Sequence, residues 1–278
     1  MSILIPDIDK LLIEQCSLED LVYLVLINSY YFSIIKENNL FKDLNKLRKM
    51  EPSFIFIMCC INNWMFVIRY FVKTNAINIH SQHECAFITA CGCGNLEIVT
   101  YLIELSDSYS SLEDKIDIHV NNEEAFWISC KRGQLHVVKY LIQLGHNSIH
   151  NRTNINIHVK HEYAFRMSCF NGYLDVAKYL IELCENSIYG EIDIHAYNNH
   201  AFIASCINGY IDIVKYLVEL DNNPLYGHIC IHTSDDIAFI RSCYNGHLEV
   251  GKYLIELGNN PVYRPIPSDI ANTFFYRK

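Results

Sequence analysis

The chain has 278 residues, enough for two ordinary domains or one elongated array, and a hydrophobic content of 51% that can fill a buried core. Its 22 Lys and Arg residues against 31 Asp and Glu residues give a formal charge of −9. Because binding to a phosphate backbone requires clustered basic residues, this balance excludes nucleic acid as an expected partner.

The sequence also differs from that of a secreted or membrane protein. Residues 1–10 include two Asp and no basic residue before Lys10, unlike a secretory signal. The most apolar stretch, residues 54–72, is interrupted by two Asn and an Arg, so we expect it not to span a membrane. The chain has 12 cysteines, but five of them share one position of a repeated pattern, as small core residues would. We therefore expect free thiols and a cytoplasmic location.

Residues 1–48 are dense in Leu and Ile and are predicted to form a small helical unit. Ser17–Asp20 is expected to cap a helix through Leu21–Ile35, with Asp20 near the place of the Glu that closes a capping box. The segment is similar to an F-box in the order Ile5-Pro6, Ile13, Ser17, Asp20-Leu21, Ile27, Tyr31, Ile34, Leu40-Phe41. The match has no gap from Asp20 to Phe41, whereas one residue is missing before Asp20 and Ile5 replaces the family's Leu.

Two interpretations of residues 1–48 stay open. The F-box resemblance implies a substrate receptor of a cullin-type ubiquitin ligase, whose Skp-type adaptor would dock on Ile5, Pro6, Leu21, Ile27 and Phe41. The alternative is a helical cap that shields the apolar edge of the following array. In that case the same side chains would be buried against Phe56 and Val67.

A pattern that follows these residues occurs five times, as in an array of structural repeats. Each copy begins with I-x-I-H and continues with Ala-Phe, a Cys, a Gly and x-Y-L-[IV]-x-L. We call the histidines that end I-x-I-H the anchor histidines: His80, His119, His158, His195 and His232. Their spacings of 39, 39, 37 and 37 residues predict stacked units that bury their apolar faces against one another.

Each copy predicts a helix, a glycine turn and a second helix. The first helix of the second copy is predicted to bury one face, formed by Ala125, Phe126, Ser129 and Cys130. Gly133 is expected to end this helix in the left-handed conformation. The second helix is predicted to bury a stripe formed by Leu135, Val138, Leu141 and Leu144. The residues that follow suit a connecting finger, and I-x-I-H suits a strand.

The glycine turn and second helix nearly repeat the ankyrin motif G-H-L-E-V-V-K-x-L-L, at Gly133–Ile142 and again at Gly246–Ile255. The pattern departs from that family in lacking T-P-L-H, for which Ala-Phe partly substitutes. Units of 37–39 residues with I-D-I-H and A-F-x-x-S-C resemble the divergent ankyrin proteins of large DNA viruses. The resemblance implies an all-α ankyrin solenoid that binds a protein partner, in the host cytoplasm if the chain is viral.

The repeated pattern also predicts the boundaries of the units within residues 49–278. A degenerate unit is expected at 49–75, where Asn63 takes the glycine position because Asn tolerates positive φ. Full units are expected at about 76–114, 115–153, 154–190, 191–227 and 228–264, followed by a truncated cap at 265–278.

The many His and Cys residues do not indicate a metal or catalytic site. Stacked layers are roughly 8–10 Å apart, whereas zinc requires ligands about 2.0–2.3 Å from one ion. We therefore predict that the anchor histidines cap or hydrogen-bond between fingers. A Cys–His nucleophile pair is an alternative, but every repeated Cys has a packing explanation. Motifs for phosphate-binding loops, serine hydrolases and zinc proteases are missing, so we expect a non-enzymatic protein without metal or cofactor.

The predicted partner-binding face consists of positions that vary between copies while the surrounding pattern is kept. One such position holds Glu84, Glu123, Glu162, Asn199 and Asp236, and another holds Thr89, Ile128, Met167, Ala204 and Arg241. Trp, Tyr and Arg dominate binding hot spots. The expected contact residues are therefore Trp127, Arg132, Tyr163, Arg166, Asp236 and Arg241. The alternative role of Trp127 is packing between adjacent units.

Overall fold

The computed structural model describes residues 52–73, 78–109, 111, 115–146, 153–185, 188–221 and 223–275. The F-box-like or capping segment predicted at residues 1–48 lies outside these described residues. Within them, the structure contains thirteen helices and no strand, so the predicted all-α class is confirmed. None of the described helices combines the length and the apolar content needed to cross a membrane.

The described residues belong to two compact units, and the first includes residues up to Ala90 together with Asn95–Ile116. Its helices are α1 (Pro52–Asn62), α2 (Met65–Lys73), most of α3 (Ser81–Cys93) and α4 (Leu96–Asp107). The turn between α1 and α2 is at Asn63, where φ is +57°. Asparagine therefore serves in this turn as glycine does in the others.

The second compact unit includes Cys91–Gly94 and the chain from Asp117 onwards. Its helices are α5 (Val120–Lys131), α6 (Leu135–Gly145), α7 (Val159–Phe170), α8 (Leu174–Glu185), α9 (Ala196–Ile207), α10 (Ile211–Asp221), α11 (Thr233–Tyr244), α12 (Leu248–Gly258) and α13 (Ser268–Phe275). The first helices of successive pairs, α5, α7, α9 and α11, pack in order against one another. This is the stacked helix-turn-helix arrangement that the repeated pattern predicts.

The core of this stack is a row of phenylalanines, one from each first helix. Each is at most 1% exposed: Phe126, Phe165, Phe202 and Phe239. The repeated cysteines of the same helices are buried free thiols. Small Ser and Cys side chains let the helices approach closely, and the phenyl rings fill the space that remains.

The glycine of the second copy is required by both backbone conformation and space. Gly133 has a φ of +72°, a region that residues with a Cβ rarely adopt. A Cβ built at this position would lie 2.4 Å from the ring of Tyr173. Glycine at position 133 therefore meets two requirements, and the positive φ is the one that the turns of all complete copies share.

The second helices bury most of the predicted stripe and a wider face around it: in α6, Val138, Leu141 and Leu144 of the stripe are buried. In α6 the buried side chains include Val137, Val138, Leu141 and Ile142, each at most 2% exposed, whereas Leu135 is only half-buried. Neighbouring pairs such as Val137–Val138 and Leu141–Ile142 widen the buried face because a helix has 3.6 residues per turn, and only Leu135 at its start leaves the predicted stripe.

The I-x-I-H segments form turns instead of the predicted strands. In the second copy, Ile116 and Ile118 are at most 3% exposed, and the backbone N–H of His119 donates to the Asp117 side chain at 2.9 Å. The side-chain bond satisfies an N–H group that a strand would pair with another strand, so the chain can turn into the following helix.

Each first helix begins with a left-handed turn that the sequence reasoning missed. The second, third and fourth residues after every anchor histidine have φ between +53° and +62°. They are Gln82–Glu84, Asn121–Glu123, Lys160–Glu162, Tyr197–Asn199 and Ser234–Asp236. Three consecutive left-handed residues without glycine are costly, so other interactions must hold each turn in place.

Candidate functional site

Each anchor histidine holds its left-handed turn through a hydrogen bond to the fourth residue after it, which is the last residue of the turn. His119 Nδ1 lies 2.9 Å from a carboxylate oxygen of Glu123, and this carboxylate raises the pKa of His119. The same contact joins the other anchor histidines to Glu84, Glu162, Asn199 and Asp236. All five partners are buried. The last residue of every turn therefore has a buried side chain that accepts a hydrogen bond from the anchor histidine of the same copy.

The other ring nitrogen of the anchor histidine reaches the connection after the following second helix. His158 Nε2 lies at hydrogen-bonding distance from the backbone carbonyl of Tyr189, and His195 Nε2 makes the same contact with Tyr226. His232 Nε2 lies 3.1 Å from the carbonyl oxygen of Tyr263. In these three copies the histidine ring therefore links the turn at the start of a unit to the connection at its end.

This network corrects one of the predicted contact residues. Asp236 was expected on the partner-binding face, but it is only 7% exposed and bonds to His232. The fourth residue after the anchor histidine is Glu, Asp or Asn in every copy, because each of these side chains can accept a hydrogen bond from the histidine. The position maintains the fold and does not lie on an accessible face.

Beside the turns of the middle copies, aromatic and cationic side chains form a continuous group. The Lys160 ammonium lies 4.5 Å from the centre of the Trp127 ring, and Tyr163 packs edge-on against Trp127 with ring centres 5.2 Å apart. The Arg166 guanidinium lies 5.7 Å from the Tyr163 ring and 4.3 Å from the Tyr197 ring. We call these five residues the aromatic–cation cluster.

Arg166 is the buried centre of the cluster and was expected to be accessible. It is 6% exposed, and burial lowers its pKa. Its guanidinium donates to the carbonyl oxygens of His161 and Lys160, at 2.7 and 3.1 Å. Arg166 therefore fixes the left-handed turn and supports the Tyr197 ring, which is 64% exposed. The accessible part of the cluster is formed by its neighbours.

One histidine packs on the cluster, and a second lies within the electrostatic influence of Arg166. His161 packs against the Tyr197 ring with ring centres 5.5 Å apart, and His200 stacks on Phe170 at 6.3 Å. Burial lowers the pKa of His200, and the nearby charge of Arg166 lowers it further. At neutral pH His200 therefore adds aromatic surface without adding charge.

The cluster contains residues from two positions at which the copies differ from one another. The eighth residue after the anchor histidine is Ile88, Ile203 or Ile240 in three copies, but Trp127 and Arg166 in the other two. The second residue is Gln82, Asn121 or Ser234 in three copies, but Lys160 and Tyr197 in the other two. All four exceptional side chains meet in the cluster. The residues that depart from the shared pattern at these two positions therefore lie together in the structure.

Two further predicted contact residues are placed differently. Arg132 is exposed at the far end of α5, where its guanidinium lies 3.7 Å from the Cys93 sulfur. Arg241 is exposed on α11 and belongs to none of the ring contacts that define the cluster. The structure thus brings together Trp127, Tyr163 and Arg166 from the predicted set.

The repeated thiols have the environment of core residues and not of nucleophiles. Burial raises the pKa of Cys169 to about 12, and it raises that of Cys130 further. A thiol in this environment stays protonated at neutral pH and does not react as a thiolate. Among the described residues, no group of three or more His, Cys, Asp or Glu side chains is arranged to hold a metal ion.

A comparison with family models identifies ankyrin repeats in the C-terminal half of the chain. The model for ankyrin repeats, in three copies, matches residues 169–264, about a third of the sequence. The search of curated proteins gave no match. The matched range and the stacked helix pairs agree on an ankyrin-type fold. Ankyrin repeats are protein–protein interaction modules and are generally non-enzymatic.

Proposed function

We propose that this protein is a non-enzymatic binding scaffold and that the aromatic–cation cluster is its partner-binding site. The observation that supports the proposal is the convergence of Trp127, Lys160, Arg166 and Tyr197, the residues that depart from the repeated pattern, on one place. Packing alone is served by isoleucine at the eighth position of three copies. The Arg166 at this position holds the turn below Tyr197, whereas the larger tryptophan at position 127 is explained by binding.

The chemistry of the cluster suits recognition of a protein. Trp, Tyr and Arg carry most of the energy in protein interfaces because they combine large area with few rotatable bonds or with several donors. The Tyr197 ring is 64% exposed although it is held by Arg166 and His161. A partner that covers it gains buried aromatic area without ordering a mobile side chain.

The proposal is tested with substitutions that the chain already tolerates in other copies. Trp127→Ile copies Ile203, and Tyr197→Ser copies Ser234, so the double variant is expected to keep the fold. The matched control is Tyr244→Ser, which removes a 76% exposed tyrosine outside the cluster.

Partners captured by the wild-type protein would be identified and their dissociation constants measured with purified components. We expect the double variant to bind at least tenfold more weakly, since loss of a hot spot costs about 2 kcal/mol or more. The control should bind like the wild type. Equal weakening in both variants, or none in the double variant, would contradict the proposed site.

A second candidate function adds a role in ubiquitination. The observation in its favour is the gap-free F-box spacing from Asp20 to Phe41, ahead of a binding array. In this proposal the aromatic–cation cluster holds the substrate and residues 1–48 dock an Skp-type adaptor. The resemblance to the divergent ankyrin proteins of large DNA viruses favours a host protein as substrate, in the cytoplasm of the infected cell.

The adaptor proposal predicts that the full-length chain binds purified Skp-type adaptor at micromolar concentration. The double variant Pro6→Ala with Leu21→Asp should lose this binding and keep the helical circular dichroism spectrum of the wild type. The Tyr197→Ser variant should bind the adaptor normally. If the intact chain does not bind, residues 1–48 are better explained as a cap and the scaffold function stands alone.

A further inference from the structure

We propose that the partner presents an acidic segment to the aromatic–cation cluster, so that a carboxylate of the segment pairs with Lys160 while its apolar side chains cover Tyr197. This inference rests on the proposed binding site and adds the chemical class of the bound segment. It starts from the distribution of charge. The chain has a formal charge of −9, yet both charged members of its cluster are cations.

The positive charge of Arg166 is incompletely neutralised where it lies. The described hydrogen bonds of its guanidinium go to uncharged carbonyl oxygens, those of His161 and Lys160. The carboxylate of Glu162 acts on the charge of Arg166, but its two oxygens lie 2.9 and 3.0 Å from His158 Nδ1. Because Arg166 is 6% exposed, a partner would not contact it directly, but its charge adds to the positive potential around the accessible Lys160.

Lys160 is the accessible cation of the site. Its side chain is exposed, and its ammonium is positioned over the Trp127 ring at 4.5 Å. Contact with the ring restricts a long flexible side chain before binding, which reduces the entropy lost when a carboxylate pairs with it. In the turn before Trp127, Asn121 Nδ2 donates to the Glu124 carboxylate at 2.8 Å. This bond partly satisfies the acidic group closest in sequence to Trp127.

The observations favour a peptide over a nucleic acid, although single-stranded nucleic acid also binds through aromatic rings and cations. Nucleic-acid binding grooves follow a phosphate backbone with many basic residues, whereas this cluster has two. The overall charge of −9 repels a polyanion along the rest of the surface. A short acidic segment needs only local complementarity.

A random-sequence peptide library displayed on phage tests the inference on the full-length chain. We expect peptides selected by the wild-type protein to be enriched in Asp and Glu relative to the unselected library. The key variant is Lys160→Gln, which places at this turn the residue found at Gln82. The matched control is Lys215→Gln, which removes an ammonium that lies 5.8 Å from the Tyr253 ring on a second helix.

The enrichment of Asp and Glu in the selected peptides should disappear with Lys160→Gln and persist with Lys215→Gln. Peptides selected by Lys160→Glu should be enriched in Lys and Arg instead. A selected acidic peptide should bind Lys160→Gln about tenfold more weakly than wild type. A pool without acidic enrichment, the same enrichment with Lys160→Gln, or tighter binding of single-stranded oligothymidylate than of the selected peptides would overturn the inference. If the selected peptides are not acidic but depend on Trp127, the binding site stands and only its charge preference is wrong.

Discussion

Replacing Phe165 by alanine should lower the free energy of unfolding by about 3–5 kcal/mol. Phe165 is 1% exposed in the middle of the phenylalanine row, with Phe126 and Phe202 at the same position of the neighbouring copies. The surrounding helices are joined by short turns and pack on both sides, so they can collapse only partly into the space of a lost ring. Urea unfolding followed by circular dichroism measures the change.

The control for this prediction is Phe170→Ala, five residues further along the same helix. Phe170 is 42% exposed, so its loss should cost far less than that of Phe165. Similar losses for the two variants would mean that the phenylalanine row is not the core of the stack.

Replacing His158 by alanine should lower the free energy of unfolding by about 1–3 kcal/mol, the usual cost of leaving a buried polar group without its partner. The variant removes the hydrogen bond to Glu162 and the link to the Tyr189 carbonyl. Glu162 is 7% exposed, so its carboxylate would stay buried without the histidine. The left-handed turn at Lys160–Glu162 would also lose the contact that compensates its backbone conformation.

His195→Ala provides the matched comparison, because its buried partner is the neutral Asn199. Since an uncharged amide is cheaper to leave unpaired than a carboxylate, His195→Ala should be less destabilising than His158→Ala. Adding Glu162→Gln to His158→Ala should recover part of the loss. If the single variants lose equal stability and the second substitution recovers none, the carboxylate–histidine contact does not have the proposed role.

The repeated pattern predicts much of the fold because each of its invariant residues has one dominant physical reason. Gly133 is needed for a positive φ in a crowded turn, and Asn63 replaces it where asparagine is tolerated. Phe126 and Cys130 fall on one helical face and are buried there. These positions depend on local backbone geometry and apolar periodicity, which are both visible in a single sequence.

The left-handed turns could not be predicted in the same way. Lys160 and Glu162 have no preference for positive φ, and three consecutive residues in this region are rare even where one of them is His. Their conformation depends on contacts with His158 and with Arg166, which lie outside the triplet. In the sequence, the fourth residue after the anchor histidine varies among Glu, Asn and Asp. Only the structure reveals that they share one function as buried acceptors.

The candidate site was predicted in part. Trp127, Tyr163 and Arg166 were expected because they are hot-spot residue types on the first helices, although the burial of Arg166 was not. Lys160 and Tyr197 were missed, since the turn was not recognised and its second position was not compared between copies. That comparison would have identified them, because the other copies have small or neutral polar residues there.

Site-specific photo-crosslinking tests the central claim, that the aromatic–cation cluster binds a protein partner, most directly. A benzophenone-bearing phenylalanine would replace Tyr197 in one variant and Tyr244 in the other. Each change replaces one aromatic ring by another, and the two side chains are 64% and 76% exposed. The account predicts a discrete crosslinked protein at position 197, absent at position 244 and lost when Trp127→Ile is added. The same crosslinks at both positions, or crosslinks only at position 244, would contradict it.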